Sequence, residues 1–154
     1  MKIDKPSSPS KYRVYIGAYG FCQDQKGRLL LARMVKGPDA GRWTLPGGGV
    51  KWGEHPDQAV LREMEEETGL VDLALGSVAA IYSYTYNQNQ DNSLPPMHHM
   101  GILYHLNPGT PELEYEIDGT TDLCKWLTEE EARSLPLTPL GKFGVDLAWG
   151  KKDE

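Results

Sequence analysis

Apolar and polar positions alternate with a period of two along most of this chain, and a helical period replaces it in three places. From Tyr12 to Phe21, Val14, Ile16 and Ala18 fall on one face of an extended segment, and Tyr15, Tyr19 and Phe21 on the other. Both faces are apolar, which predicts a strand buried on both sides. Asp24 to Gly27 has turn chemistry, and Arg28 to Met34 predicts a returning strand. Residues 36–42 form a loop containing glycine and proline. Trp43 to Leu45 and Gly49 to Trp52 read as short extended pieces around a Pro-Gly-Gly-Gly bend. Leu73 to Tyr86 carries strand residues in two pieces divided near Gly76. A polar loop over 87–96 precedes a strand from Met97 to Leu106. After a turn over 107–111, a last strand is predicted from Thr121 to Leu127.

The first helical period runs from Pro56 to Thr68, where Val60, Leu61 and Met64 form an apolar stripe. Pro56 suits the first helical position, where its missing N–H does no harm. Asp57 favours the positive end of the helix dipole, and Gly69 is a natural stop. Thr128 followed by Glu131 has capping-box form and opens a short helix. Thr138-Pro139 opens another, in which Leu140, Phe143 and Leu147 keep helical spacing. Strands with one central helix and two terminal helices predict an α+β domain, a sheet flanked by helices.

The central helix also carries charge in an unusual place. Each residue turns about 100°, so Glu63, Glu66 and Glu67 fall within an arc of roughly 100°. Three carboxylates so close resist full ionisation unless something positive sits between them. A hard divalent cation, which prefers oxygen ligands, meets that need. Gln58 and Glu65 point to the opposite side, toward water.

The stretch GGVKWGEHPDQAVLREMEEETGL from Gly48 resembles the Nudix box, G-x5-E-x7-R-E-U-x-E-E-x-G-U with U apolar. Gly48, Glu54, Arg62, Glu63, Met64, Glu66, Glu67, Gly69 and Leu70 fill every specified place. The resemblance implies a mixed β-sheet in an α/β/α sandwich. It implies hydrolysis of a nucleoside diphosphate linked to another group, assisted by Mg²⁺ or Mn²⁺. By the same resemblance Glu63, Glu66 and Glu67 are metal ligands with the Gly48 carbonyl, and Glu63, Glu66 and Arg62 form the catalytic set. Arg62, one turn from Glu66, is expected to hold that carboxylate. Glu54 and Gly69 take structural or supporting roles. The box leaves the general base open between a box glutamate and a later acid, among Glu112, Glu114, Glu116, Asp118 and Asp122. For substrate contact the candidates are Arg33, Trp43, Tyr84 and Tyr86, each with a core or surface role as the alternative; Trp52 raises the same choice. His98, His99 and His105 have no metal spacing, and strand surface or core is the expectation for His99.

Composition narrows the setting. With 154 residues, 39% hydrophobic and 25% charged, the chain fits one globular domain, expected over 12–150 between tails at 1–11 and 151–154. A net charge of −6 and a pI near 5.2 argue against a broad surface for long nucleic acid. They allow a small anionic substrate, because a bound metal reverses the sign locally. Cys22 and Cys124 fit no metal spacing and are expected as buried thiols in a reducing cytoplasm. No apolar run has membrane-spanning length, no signal peptide or DNA-binding domain is evident, and a homodimer is compatible with the sequence. The substrate marks of the family conflict. Thr85 stands near where ADP-ribose enzymes carry proline, Tyr86 where dinucleoside polyphosphate hydrolases carry tyrosine, and Gly49 where triphosphate pyrophosphatases carry lysine. A nucleoside triphosphate or modified nucleotide is preferred over a dinucleotide, ADP-ribose or a nucleotide sugar. An inactive nucleotide sensor and an RNA-end hydrolase, the latter disfavoured by the charge, complete the alternatives.

Overall fold

In the computed structural model, residues 12–87, 95–108 and 121–152 are described, with only the backbone at 121 and 122. Strand β1 (Arg13–Cys22) is followed by β2 (Leu29–Met34), β3 (Trp43–Thr44) and β4 (Gly47–Gly49). Helix α1 (Pro56–Thr68) leads to β5 (Ala74–Tyr86), β6 (Met97–Asn107) and β7 (Thr121–Leu127), and the chain closes with α2 (Glu129–Ser134) and α3 (Pro139–Trp149). Two mixed-order sheets result, β4-β1-β6-β5 and β3-β2-β7. β1 runs parallel to β6 and antiparallel to β4, while the other pairings are antiparallel. This is the expected α+β arrangement, a sheet core between helices.

Two apolar clusters hold the layers together, one on each side of β1 and β2. Ala18, Cys22, Leu30 and Ala32 meet Val60 and Met64 of α1. Tyr19, Phe21, Leu29 and Leu31 face the other way and meet Leu140 and Val145 of α3. Alternation along the strands sorts these residues onto opposite faces, so two helices seal one sheet pair from both sides. Cys22 and Cys124 are both buried and free, and burial pushes the Cys22 thiol up to about 12.

The elements follow the hydrophobic pattern closely, with four differences. β1 is buried only in its second half; Val14 and Ile16 remain 55% and 47% exposed. The helix covers the strand near Gly20, where Met64 packs, and leaves the first half bare. The predicted Leu73–Tyr86 segment forms one strand, Ala74–Tyr86, rather than two, because the disturbance around Gly76 is absorbed as register shifts between Leu75 and Ala80. The strand after Pro46 starts at Gly47, two residues early, since these glycines pair with Tyr19, Ala18 and Gly17. In α3 the buried face is Leu140, Gly141, Gly144 and Val145, and Leu147 is 40% exposed. The two glycines bring the helix down onto Trp43 and Leu45, which turns Leu147 outward. Among the described residues no helix is long and apolar enough to cross a membrane.

Candidate active site

Helix α1 is fixed at both ends. The His55 ring accepts at Nδ1 from the Asp57 N–H at 3.1 Å, and Gly69, at φ 73°, donates its N–H to the Glu65 carbonyl. Val60 and Met64 are fully buried and set the rotation of the helix. That rotation grades its three carboxylates by depth. Glu67 is 3% exposed and its Oε2 accepts from the Gly47 N–H at 3.0 Å. Glu63 lies against Gly48 with its side chain 17% exposed, and Glu66 projects outward at 47%.

The glycine strand supplies the floor. A Cβ on Gly48 would stand 2.7 Å from the Glu63 carboxyl carbon, so only a glycine admits that carboxylate so close to the backbone. Gly47, at φ 138°, faces the β1 backbone at Ala18 and Tyr19 and has no room for a side chain. The local field is negative: the Tyr15 hydroxyl is pushed above its ordinary range by burial and then by the charges of Glu63 and Glu67.

Arg62 joins these parts, and differently from expectation. Its Nε and one terminal nitrogen grip Glu54 at 2.9 and 3.0 Å, and that same nitrogen reaches the Gly49 carbonyl at 3.2 Å. The other terminal nitrogen donates to Glu63 at 2.9 Å and only loosely to Glu66 at 3.4 Å. Glu54, not Glu66, is therefore its principal partner. A forked guanidinium matches a carboxylate edge, whereas the exposed Glu66 is drawn toward water. The hydrogen bond from Arg62, with a second from the Lys51 N–H, holds the Glu54 carboxyl down to about 2. The positive group that the acidic arc requires is thus partly internal. Among the described residues no three His, Cys, Asp or Glu side chains converge closely enough to hold a metal ion in this arrangement. The donors nevertheless suit a hard cation: carboxylate oxygens graded from buried to mobile beside a backbone cradle.

Across the sheet lies an aromatic floor. Tyr15 of β1, His99 of β6 and Tyr84 of β5 are direct cross-strand neighbours, and the next row of the same face is Gly17, Gly101 and Tyr82. The glycine pair leaves space that the Tyr19 ring fills, since a Cβ at either position would crowd it. Its hydroxyl thereby reaches His99 Nε2 at 2.7 Å. His99 is 8% exposed, packed edge-on to Tyr15, Tyr19 and Tyr82, and burial lowers its pKa to about 4. Of the two expectations for His99, strand surface or core, the structure gives the core. Tyr84 is 43% exposed and lies 4.8 Å from the half-buried Tyr86 ring.

Other candidates are placed elsewhere. Trp43 is 5% exposed inside the α3-side core, so its ring is a packing element and not a substrate contact. Its backbone is tied to Pro136 and Thr138, which pulls the side chain under α3. Trp52 is fully exposed. Arg33 is half-buried on β2 opposite Trp43 and Leu123, in the sheet that does not contain the glycine strand. Glu112, Glu114, Glu116 and Asp118 lie outside the described residues, as does the Asp122 side chain. Sequence reasoning missed Tyr15 and Tyr19 as site neighbours and the Gly47–Glu67 hydrogen bond. Each depends on cross-strand register, which leaves no local signal.

Comparisons with known proteins agree with this fold. A family model described as the NUDIX domain matches residues 11–144. An RNA pyrophosphohydrolase of Saccharophagus degradans is 55% identical over 47 residues, 30% of this chain and 26% of that protein. An ADP-ribose pyrophosphatase of Methanocaldococcus jannaschii is 36% identical over 85 residues, 53% of this chain and 50% of that protein. The chain thus spans half or less of the length of these curated relatives. A MutT Nudix hydrolase from Burkholderia pseudomallei superimposes with a TM-score of 0.70 at 25% identity, covering 88% of this chain and 98% of that structure.

Proposed function

The chain belongs to the Nudix family, and on that premise we propose that it is a divalent-metal-dependent hydrolase of nucleoside diphosphates linked to a further group. The products are a nucleoside monophosphate and the phosphorylated remainder. The observation that carries this reading is the graded set Glu67, Glu63 and Glu66 over the Gly47–Gly49 strand. The names of relatives support the reaction class: an RNA pyrophosphohydrolase, an ADP-ribose pyrophosphatase and an 8-oxo-dGTP diphosphatase all open a phosphoanhydride. We take the domain to span 12–150, and its two buried thiols suit a reducing cytoplasm.

Glu63, Glu66, Glu67 and the Gly48 carbonyl would hold Mg²⁺ or Mn²⁺. When bound, the ion would neutralise the diphosphate, orient it and acidify a water. The protein's own residues do the positioning. Glu67 is anchored on Gly47, where it would meet the ion. Glu63 is held between Gly48 and Arg62. Glu66, exposed and loosely held, is free to swing toward the ion or to take a proton from the attacking water. Arg62 keeps its fork on Glu54 and registers the helix on the Lys51–Glu54 turn, and its contacts to Glu63 and Glu66 would give way to a bound cation. Tyr84, exposed like Tyr15 at the other end of the aromatic row, offers a face for a base.

The test is a panel assay. With Mg²⁺ or Mn²⁺, nucleoside triphosphates, dinucleoside polyphosphates, ADP-ribose and nucleotide sugars are offered and phosphate products are read. Glu66→Gln and Glu67→Gln should each lower turnover at least tenfold, about 1.4 kcal/mol of barrier. Tight nucleotide binding with no product from any substrate would instead identify a sensor.

A further inference from the structure

One face of the β4-β1-β6-β5 sheet is covered by α1 over only part of its length. Register assigns its members. Val14, Ile16 and Ala18 of β1 lie opposite His98, Met100 and Ile102 of β6. Thr85, Ser83 and Ile81 of β5 stand opposite the same three residues, and Val78 stands opposite Tyr104. The α1 cluster seals Ala18 and Tyr104, with Ile102 at its border. Outside that border the face is bare: Val14, Ile16, Val78 and Ile81 are 55%, 47%, 49% and 58% exposed. Tyr12, two residues before Val14, continues the row at 41%.

The chemistry of this face points to its own copy as the occupant. None of these residues is Asp, Glu, Lys or Arg, and two of the polar ones satisfy each other, the Ser83 hydroxyl lying 2.8 Å from His98 Nε2. An aliphatic side chain of this size hides on the order of 120 Å² and a tyrosine about 200 Å². At their present exposures, with Met100 and Ile102 partly open between them, these residues show roughly 400 Å² of apolar surface. A two-fold pair would cover about 800 Å², and at the roughly 65% apolar share of homodimer interfaces the whole contact comes to about 1,200 Å², the lower end for a specific complex. Contact across a two-fold axis needs a self-complementary surface, and an uncharged apolar face meets itself without repulsion. The same lack of charge leaves it little with which to select a different protein. Residues 1–11, which lead into β1, contain only Met1 and Ile3 as large apolar side chains, too few to cover it. The outer edge of β5 is the poorer contact, because register shifts between Leu75 and Ala80 interrupt that strand.

We propose that the chain forms a two-fold dimer in which this face of β1, β6 and β5 packs on the same face of a second copy, sheet on sheet. Val14, Ile16 and Ile81 form the buried centre. The Tyr15–His99–Tyr84 row lies on the opposite face of the same strands and stays open. Each copy carries a net charge of −6, which opposes approach, so association strengthens with salt, the reverse of a contact made by opposite charges. The dimer is independent of the hydrolytic reading.

The test is sedimentation velocity of the full chain from about 1 to 300 µM, a range in which a contact of this size should show a monomer–dimer equilibrium. Association should tighten between about 50 and 500 mM NaCl. The Val14→Glu/Ile81→Glu protein should associate at least about tenfold more weakly, because like charges then meet across the contact. Both side chains are half exposed in the single chain, so circular dichroism should show the native fold. The Val14→Lys/Ile81→Lys protein should be monomeric by itself, and mixing it with the glutamate protein should restore association, which a misfolded variant could not do. A monomer at every concentration overturns the proposal and leaves the face to a different protein. Association that continues past two copies or loosens with salt overturns it too. So does undiminished association of the folded glutamate protein, the result that edge pairing through β5 would give.

Discussion

Replacing Gly48 by alanine should separate catalysis from stability. The added Cβ would stand 2.7 Å from the Glu63 carboxyl carbon, where ordinary contact begins at 3.4 Å, so the carboxylate must retreat by about 0.7 Å. It is the end of a flexible side chain, and its Arg62 partner can follow it. Gly48 has an ordinary φ, so alanine brings no backbone strain and removes about 0.4–1 kcal/mol of unfolded-state entropy. The net change in stability should stay within about 1 kcal/mol. Catalysis is less forgiving: a misplacement approaching 1 Å costs up to about a hundredfold. A retreat of this size therefore predicts a tenfold to hundredfold fall in kcat, about 1.4–2.7 kcal/mol. The measurement pairs urea unfolding with turnover at saturating Mg²⁺ on the best substrate of the panel. Gly47→Ala is the contrast, because its Cβ meets the β1 backbone at Ala18 and Tyr19, which cannot retreat without opening the sheet. That variant should lose roughly 3 kcal/mol or more of stability. Near-normal kcat in folded Gly48→Ala would refute the claim that the Glu63–Gly48 approach matters for the chemistry.

Three further outcomes follow from the geometry. Trp43→Ala should destabilise by about 3–5 kcal/mol with KM little changed, while Trp52→Ala should move stability by less than about 0.5 kcal/mol; a large KM effect at Trp43 would restore it as a substrate contact. In Arg62→Lys, loss of the fork should let the Glu54 carboxyl rise from about 2 toward its ordinary 4.5, read by carbon NMR titration, and turnover should fall more than tenfold; an unmoved Glu54 would show that the Lys51 N–H alone holds it. Burial lowers His99 to about 4, so the folded protein keeps it neutral while the unfolded chain takes up a proton near 6.5. Its contribution is therefore complete above about pH 6.5 and declines as pH falls toward 4; in His99→Asn the urea midpoint should depend less on pH across that window, and an identical slope would dismiss the histidine as the cause.

Local pattern carried a great deal. Pro56, the Val60–Met64 stripe and Gly69 determine α1 to the residue, and Thr128 with Glu131 determines the start of α2, because caps and periodicity act within a few residues of chain. The spacing of the box residues likewise put three carboxylates on one helix side without any knowledge of the fold. What the sequence could not set was depth and partnership. Whether Glu67 or Glu66 is buried depends on how α1 rolls against β1 and β4. Whether Arg62 holds Glu66 or Glu54 depends on a turn returning eight residues earlier in the chain. Trp43 looked like a substrate contact because it flanks the glycines, yet α3, arriving nearly a hundred residues later, covers it. The Tyr15–His99–Tyr84 row and the bare apolar face behind it join strands far apart in sequence. Contacts of that kind are fixed only by sheet register and by the close approach of packed layers, and neither is encoded at any one place along the chain.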